Sequence, residues 1–435
     1  MLPLPADHAR RRELSAEVHA RPFMHLEPSE RLSHLALLTG EGGIEAERGH
    51  LAALCQRYAA PPPPAAANFH LADLGVFRLR WERHTEFATY TFFVREPVPA
   101  REDGRRVRFL QPVIARVPHD WLADLPGELL AAVHLELEGA DAPPLESEDV
   151  PAVLAADNFA GSLVSGGAAT VWMNFAINDD GFGRVVVRSH ALKPRQAGRL
   201  VQRLLEIETY RMMALLALPL ARSGAPRLTE IGERLTGLTR SLADDRRDED
   251  GRALLGRLTD LSAEIEQLAA ATSYRFGAAR AYHALVQRRI AELREGRIEG
   301  QQTIEEFMER RLSPAMRTCE AAGERLEALS QRVARASQLL RTRIDVELAA
   351  QNRDLLRSMD RRATLQLRLQ ETVEGLSVAA ITYYAVGLFG YLVKGGKAGG
   401  LPLPAETLTA VAVPLVAAAV WIGMRRVRRA LEDAG

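Results

Sequence analysis

Three histidines fall within 16 residues near the start of the chain: His19, His25 and His34, with Arg21 between the first two. Imidazoles titrate near neutrality and ligate metals, and an arginine beside them could hold an anion. The segment Glu17-Val18-His19-Ala20-Arg21-Pro22-Phe23 makes this the densest group of chemically able side chains. Its spacing fits no standard zinc motif, so a surface or core role stands beside a ligand-binding one. Gly161, Gly166 and Gly167 lack both the lysine of a phosphate-binding loop and the G-x-G-x-x-G pattern. Asp157, Asp179 and Asp180 read as cap and turn residues. No G-x-S-x-G or H-E-x-x-H occurs, and no catalytic residue is expected.

A second group lies far downstream: Gln366, Gln370, Glu374, Ser377 and Tyr384. At about 100° per residue they share one side of a helix. A polar face on an apolar helix prefers a partner helix or water to lipid. In a symmetric oligomer it could ring a pore. The plainer role puts Gln366, Gln370 and Glu374 at headgroup level, with Ser377 and Tyr384 packed on a neighbouring helix.

The elements that must position these residues are two apolar stretches. Leu376–Val393 is 18 residues without a charge, and Leu408–Met424 is 17 more. At 1.5 Å per residue each spans roughly 25–27 Å, enough for the bilayer hydrocarbon. Arg357, Arg361, Arg362 and Arg368 precede the first, and Arg425, Arg426, Arg428 and Arg429 follow the second. The loop between carries only Lys394 and Lys397 as bases, with Glu406 as its acid. This bias predicts a transmembrane hairpin with both chain ends in the cytoplasm. Gly387 and Gly390 offer close approach between the two spans.

Acidic and basic residues balance at 56 each, so no global field draws the chain to nucleic acid. Cys55 and Cys319 are the only cysteines, too few for a disulfide framework or a cysteine-rich metal site. The first residues lack an apolar h-region, so no cleavable signal peptide is expected.

The first half reads as mixed α/β. His34–Thr39 suggests a strand, and Ile44–Ala60 a helix ending at Pro61–Pro64. Gly75–Trp81 and Thr85–Val94 suggest paired strands. Trp121–Leu130 suggests a helix and Ala132–Leu137 a strand. Thr170–Ile177 and Gly183–Ser189 flank Asn178-Asp179-Asp180-Gly181, a strong hairpin signal. Pro194–Ala221 reads as one helix whose last turn Pro219 weakens.

Residues 226–375 carry no strand signal. Leu254, Leu258, Leu261, Ile265, Leu268, Thr272, Ala279, Tyr282, Val286, Ile290 and Leu293 keep a heptad seam, with one seven-residue step at Arg275. Gly296 and Gly300 end that helix. Ser313-Pro314 reads as a helix start. With no further proline before Val393, one helix of about 80 residues is expected to run into the membrane.

Glu17–Phe23, Arg199–Pro219 and Leu365–Tyr384 (LQLRLQETVEGLSVAAITYY) resemble a bacterial family known only as an uncharacterised membrane-anchored protein, a domain of unknown function. The resemblance covers nearly the whole chain and implies a membrane location without an activity. The architecture is more distantly similar to CorA-type magnesium transporters, pentamers whose long helices line the pore. Those end their first span with Gly-Met-Asn, whereas this chain has Gly390-Tyr391-Leu392-Val393-Lys394, and its loop is net positive where theirs is usually acidic.

The sequence therefore predicts an α+β cytoplasmic domain over residues 1–222, a mixed sheet with flanking helices. A coiled-coil-like helical stalk follows at 226–375, then spans at 376–393 and 408–424, a periplasmic loop at 394–407 and a basic tail at 425–435. The expected place is a bacterial inner membrane. The expected partners are the lipid bilayer and further copies of the chain, five if the CorA likeness holds; neither nucleic acid nor a cofactor is expected. The expected function is a non-enzymatic scaffold or sensor with a cytoplasmic head. The alternative is an oligomeric ion transporter lined by the first span.

Overall fold

The structure is a computed structural model. It describes residues 7–11, 23–40, 43–99, 107–140, 142, 144–243, 251–398 and 404–432. Two compact units divide at Ser337/Gln338.

The first unit is built on one nine-stranded sheet. Its strands are β1 (Glu30–Leu38), β2 (Phe69–Asp73), β3 (Arg78–Arg83), β4 (Phe87–Arg95), β5 (Glu128–Glu138), β6 (Ala160–Val164), β7 (Ala169–Met173), β8 (Gly183–Ser189) and β9 (Gly296–Arg297). They lie in the order β2-β3-β4-β1-β5-β8-β7-β6-β9. Neighbours are antiparallel except β5 and β8, which run parallel, so the sheet is mixed. The helices are α1 (Ile44–Arg57), α2 (His119–Ala123), α3 (Val150–Leu154), α4 (Pro194–Leu215), α5 (Ala217–Ala243), α6 (Gly251–Leu293), α7 (Ile304–Ala398) and α8 (Ala405–Glu432).

Helices cover both faces. On one, Leu135, Val187 and Phe93 meet Leu204 and Ile207 of α4, Val286 and Ile290 of α6, and Phe307 and Met308 of α7. On the other, Leu79, Trp81, Tyr90 and Phe92 meet Leu51 and Leu54 of α1 and Trp121 of α2. Burying these large side chains removes apolar surface at about 25 cal/mol per Å². The helices of residues 217–337 thus share a unit with the sheet. The seam on α6 is buried within the same chain at Leu254, Leu258, Leu261 and Ile265. Phe276 fills the interval at Arg275 that the heptad reading skipped.

Several expectations need correction. The helix expected at Trp121–Leu130 stops at Ala123, because Pro126 and then Gly127, at φ 109°, turn the chain into β5. Pro194–Ala221 is two helices. Pro219 lies in the first turn of α5, where a missing N–H costs nothing. The glycines after Gly161 form the β6–β7 turn, with Gly166 and Gly167 at φ 70° and 85°. The two-residue strand β9 falls where no strand was expected.

Ser313-Pro314 does not start the last long helix. That helix begins at Ile304, and Pro314 lies inside it. Ser313 Oγ donates to Glu309 Oε2 at 2.8 Å instead of capping. The start is a capping box ten residues earlier: Thr303 Oγ1 accepts the Glu306 N–H at 3.1 Å, and Glu306 Oε2 accepts the Thr303 N–H at 3.1 Å. Glu295 strengthens it by accepting the Ile304 and Glu305 amides at 3.0 and 2.9 Å.

The second unit holds the rest of α7 and all of α8. Each carries an 18-residue window of mean hydropathy 1.7 and 2.0 respectively, and those windows are 0% and 6% buried. A core helix of a soluble fold hides such a window, so both are helices long and apolar enough to cross a membrane. They touch where Val393 and Ala412 are buried. A side chain at Gly390 would meet the Thr409 methyl at 3.8 Å, whereas Gly387 faces open space.

Candidate functional site

Strand β4 presents two faces by simple alternation. Ala88, Tyr90, Phe92 and Val94 enter the core under α1. Phe87, Thr89, Thr91 and Phe93 line a cavity of about 240 Å³. β3 repeats the pattern, with Leu79 and Trp81 in the core and Arg80 and Glu82 on the cavity. Helix α4 closes it with Gln202, Glu206, Thr209 and Tyr210, and α6 contributes Arg289. The wall is tight at one point. A Cβ on Gly198 would lie 1.7 Å from the Met24 carbonyl oxygen, so only glycine lets the chain before β1 pass this close to α4.

His34 forms the floor. It pairs in register with Thr91 on β4 and is 4% exposed. Its Nδ1 lies 2.8 Å from Thr91 Oγ1 and its Nε2 3.1 Å from Thr209 Oγ1. Burial, with Arg80 nearby acting in the same direction, lowers its pKa from 6.5 to about 3. At neutral pH it is an uncharged hydrogen-bonding ring.

The rest of the lining is a ladder of alternating charge. Glu82 Oε1 accepts from Arg80 Nη2 at 2.8 Å, and Arg80 Nη1 donates to Gln202 Oε1 at 3.1 Å. Gln202 Nε2 donates to Glu206 Oε1 at 2.8 Å. Glu206 also accepts from Arg289, which reaches Glu292 at 3.2 Å. Glu292 in turn takes Arg203 Nε at 2.8 Å. Arg80 is 4% exposed, and its Nε has no hydrogen-bond partner among the described residues.

A second network ties the rim of the cleft to α6. Glu86 accepts from Tyr282 and forms an ion pair with Arg275. Phe87 meets Tyr210 and Tyr282 edge to face, at 6.4 and 6.2 Å between ring centroids.

Another constellation has the residue types of a hydrolase triad but not its working geometry. Ser33 Oγ lies 2.9 Å from His134 Nδ1, and His134 Nε2 lies 4.0 Å from Asp180 Oδ2. Ser33 is fully buried, and its oxygen already accepts the Ile114 N–H at 3.1 Å. His134 is stacked on Phe182 at 3.9 Å. Burial lowers its pKa to about 4. A nucleophile that no substrate reaches is a structural hydroxyl.

The sequence-predicted residues fare unevenly. His19 and Arg21 lie outside the described residues. His25 is exposed and accepts from Arg195 Nε at 3.1 Å, while His34 sits in the cleft floor, so these two are not one cluster. Among the described residues, no group of three His, Cys, Asp or Glu side chains could hold a metal. Gln366, Gln370, Glu374, Ser377 and Tyr384 all lie on α7. Gln370 Nε2 donates to Glu374 Oε1 at 3.4 Å, Ser377 Oγ bonds back to the Val373 carbonyl at 2.8 Å, and Tyr384 is 71% exposed.

Sequence reasoning missed Arg80, Gln202, Glu206 and Arg289. A signal existed: Gln202, Glu206 and Thr209 repeat at steps of four and three on a helix whose same side carries core residues. Buried and half-buried polar residues at core spacing mark a site or a network.

Fold and site together define an α+β protein with a charge-balanced internal cleft and two helices long and apolar enough to cross a membrane. The chain belongs to the family described as "Protein of unknown function (DUF3422)", whose model matches residues 6–431. Among curated proteins, none matches the chain significantly.

Proposed function

We propose that this is a membrane-anchored, non-enzymatic protein whose cytoplasmic head serves as a scaffold or sensor. One observation carries the reading. The helix that contributes Ile304, Phe307, Met308 and Leu312 to the core beneath the sheet is the same continuous helix that holds the first apolar window. The head is thereby fastened to its anchor without a linker, as suits a module that works at a bilayer surface. The arginines flanking Leu376–Val393 and Leu408–Met424 support an inner-membrane hairpin with both termini inside. Trp421, under the Arg425 guanidinium at 5.0 Å, suits an interfacial position at the end of the second span.

Topology reporters test the anchor. A reporter active only in the periplasm should be silent after Gly435 and active near Gly399. The reverse pattern, or silence at both places, overturns the reading. Purified protein in liposomes distinguishes the transporter alternative. Flux of magnesium, zinc, potassium or chloride above that of empty vesicles would replace the scaffold with an oligomeric pore, and Glu374→Lys would then change its ion preference.

A further inference from the structure

We propose that the cleft between β3, β4 and α4 binds a small zwitterion: a molecule with one carboxylate, one ammonium group and a modest apolar side chain. The inference concerns the head alone and stands whichever way the apolar helices run.

Arg80, Arg289, Glu82 and Glu206 line the cavity, two of each sign. The histidine on its floor sits between two threonine hydroxyls and adds no charge. A lone anion entering this space gains the arginines but is pushed by both glutamates, and a lone cation meets the converse. A phosphorylated ligand needs a surplus of donors that the glutamates cancel. Arg80 pairs with Glu82 and Arg289 with Glu206, and a ligand of both signs can insert among these pairs and leave each charge with a partner.

Gln202 is the single neutral rung between the Arg80 guanidinium and the Glu206 carboxylate. An ammonium group can replace its contact to Glu206, while a carboxylate takes the Arg80 fork bidentately. The amide is then free to bond either group, since it offers both a donor and an acceptor.

At about 240 Å³ the cavity lies below the range for drug-sized ligands. Phe87, Phe93, Val201 and Leu205 give it an apolar side, and Thr89, Thr91 and Thr209 a hydroxyl side. That combination fits an amino acid with a small or apolar side chain.

The test uses the full chain in detergent micelles. The twenty common amino acids are titrated singly by calorimetry and by thermal unfolding. For each binder, the amine-free carboxylate and the decarboxylated amine are titrated as well. At least one amino acid should bind with a Kd below about 1 mM and raise Tm. Both of its truncated forms should bind at least tenfold more weakly. Glu206→Gln preserves the shape and, with its one remaining oxygen, the bond to either Gln202 or Arg289 while removing the charge. It should unfold cooperatively but lose at least tenfold in affinity. Arg57→Gln, whose partner Asp120 lies on α2 outside the cavity lining, should bind like the parent. The proposal is overturned if no amino acid gives heat or a Tm shift, if the amine-free carboxylate binds as well as its parent, or if Glu206→Gln keeps full affinity.

Discussion

Glu86 accepts the phenol of Tyr282 at 2.8 Å across 196 positions of sequence. The acceptor stands immediately ahead of β4 and the donor on α6, and Arg275 pairs with the same carboxylate. Burial first, and then this carboxylate, push the Tyr282 phenol above its ordinary range. Tyr282→Phe should cost about 1.5–3 kcal/mol, the worth of a hydrogen bond to a charged acceptor. Glu86→Ala should cost about 3 kcal/mol, because Arg275 is left without its partner in a part-buried site. Trp81, Trp121 and Trp172 are all buried in the head, so its unfolding is read by tryptophan fluorescence in urea. Losses below about 0.5 kcal/mol for both variants would mean that water shares the carboxylate.

His34 makes the head sensitive to acid. Its folded pKa is lowered to about 3 from 6.5, so the unfolded chain takes up a proton that the folded one refuses. The stabilisation is fully present above about pH 6.5 and is lost as pH falls towards 3. Between pH 6.5 and 5 the wild type should lose up to about 2 kcal/mol from this group. His34→Gln should start less stable at pH 7 but show a flatter acid limb. Parallel limbs for the two proteins would refute the assignment.

Glu136 tilts the balance the other way. Burial raises its pKa from 4.5 to about 7, against the Phe109 N–H, which bonds Oε1 at 2.7 Å and opposes the rise. The folded chain here keeps a proton that the unfolded chain releases. The contribution is complete below about pH 4.5 and is lost as pH rises through 7, at up to about 1.4 kcal/mol per unit. Glu136→Gln keeps the acceptor for Phe109 and removes the titration. Its stability between pH 5 and 8 should therefore vary less than that of the wild type, as read from urea midpoints.

Gly198→Ala tests the tightest contact in the cleft wall. The new methyl would fall 1.7 Å from a backbone oxygen of Met24, which no rotamer change relieves. The segment before β1 must move, at a cost of about 3 kcal/mol or more, well beyond the gain in helix propensity of about 1 kcal/mol. A variant as stable as the parent would show that residues 23–26 are not held there.

Much of this fold was legible from pattern. The Asp179-Asp180-Gly181 turn holds: Asp180 Oδ1 accepts the Phe182 N–H at 3.0 Å and Gly181 takes φ 83°. The buried seam of α6 also follows from periodicity, and the two apolar helices from uncharged length. What failed was tertiary. Thr303 outcompetes the Ser313-Pro314 start because its capping box is anchored by Glu295, which no local pattern announces. Strand β9 exists only because β6 offers an edge to Gly296 and Arg297. The cleft stayed hidden for the same reason. Its charges come from β3, α4 and α6, and each alone looks like a solvated residue. Only His34 was singled out beforehand, and for a different chemistry.

The position of β9 bears on how the chain is made. It is the last strand of the sheet and comes just before the helix that becomes the first apolar stretch. Every strand among the described residues has therefore left the ribosome's peptidyl centre roughly 80 residues before Leu376 is added, a lag of about 4–16 s at ordinary elongation rates. Pairing of strands takes far less time than that. Synthesis order thus gives the sheet time to pair before the first apolar stretch is made, and the packing of α7 residues such as Phe307 and Leu312 on it follows within that interval.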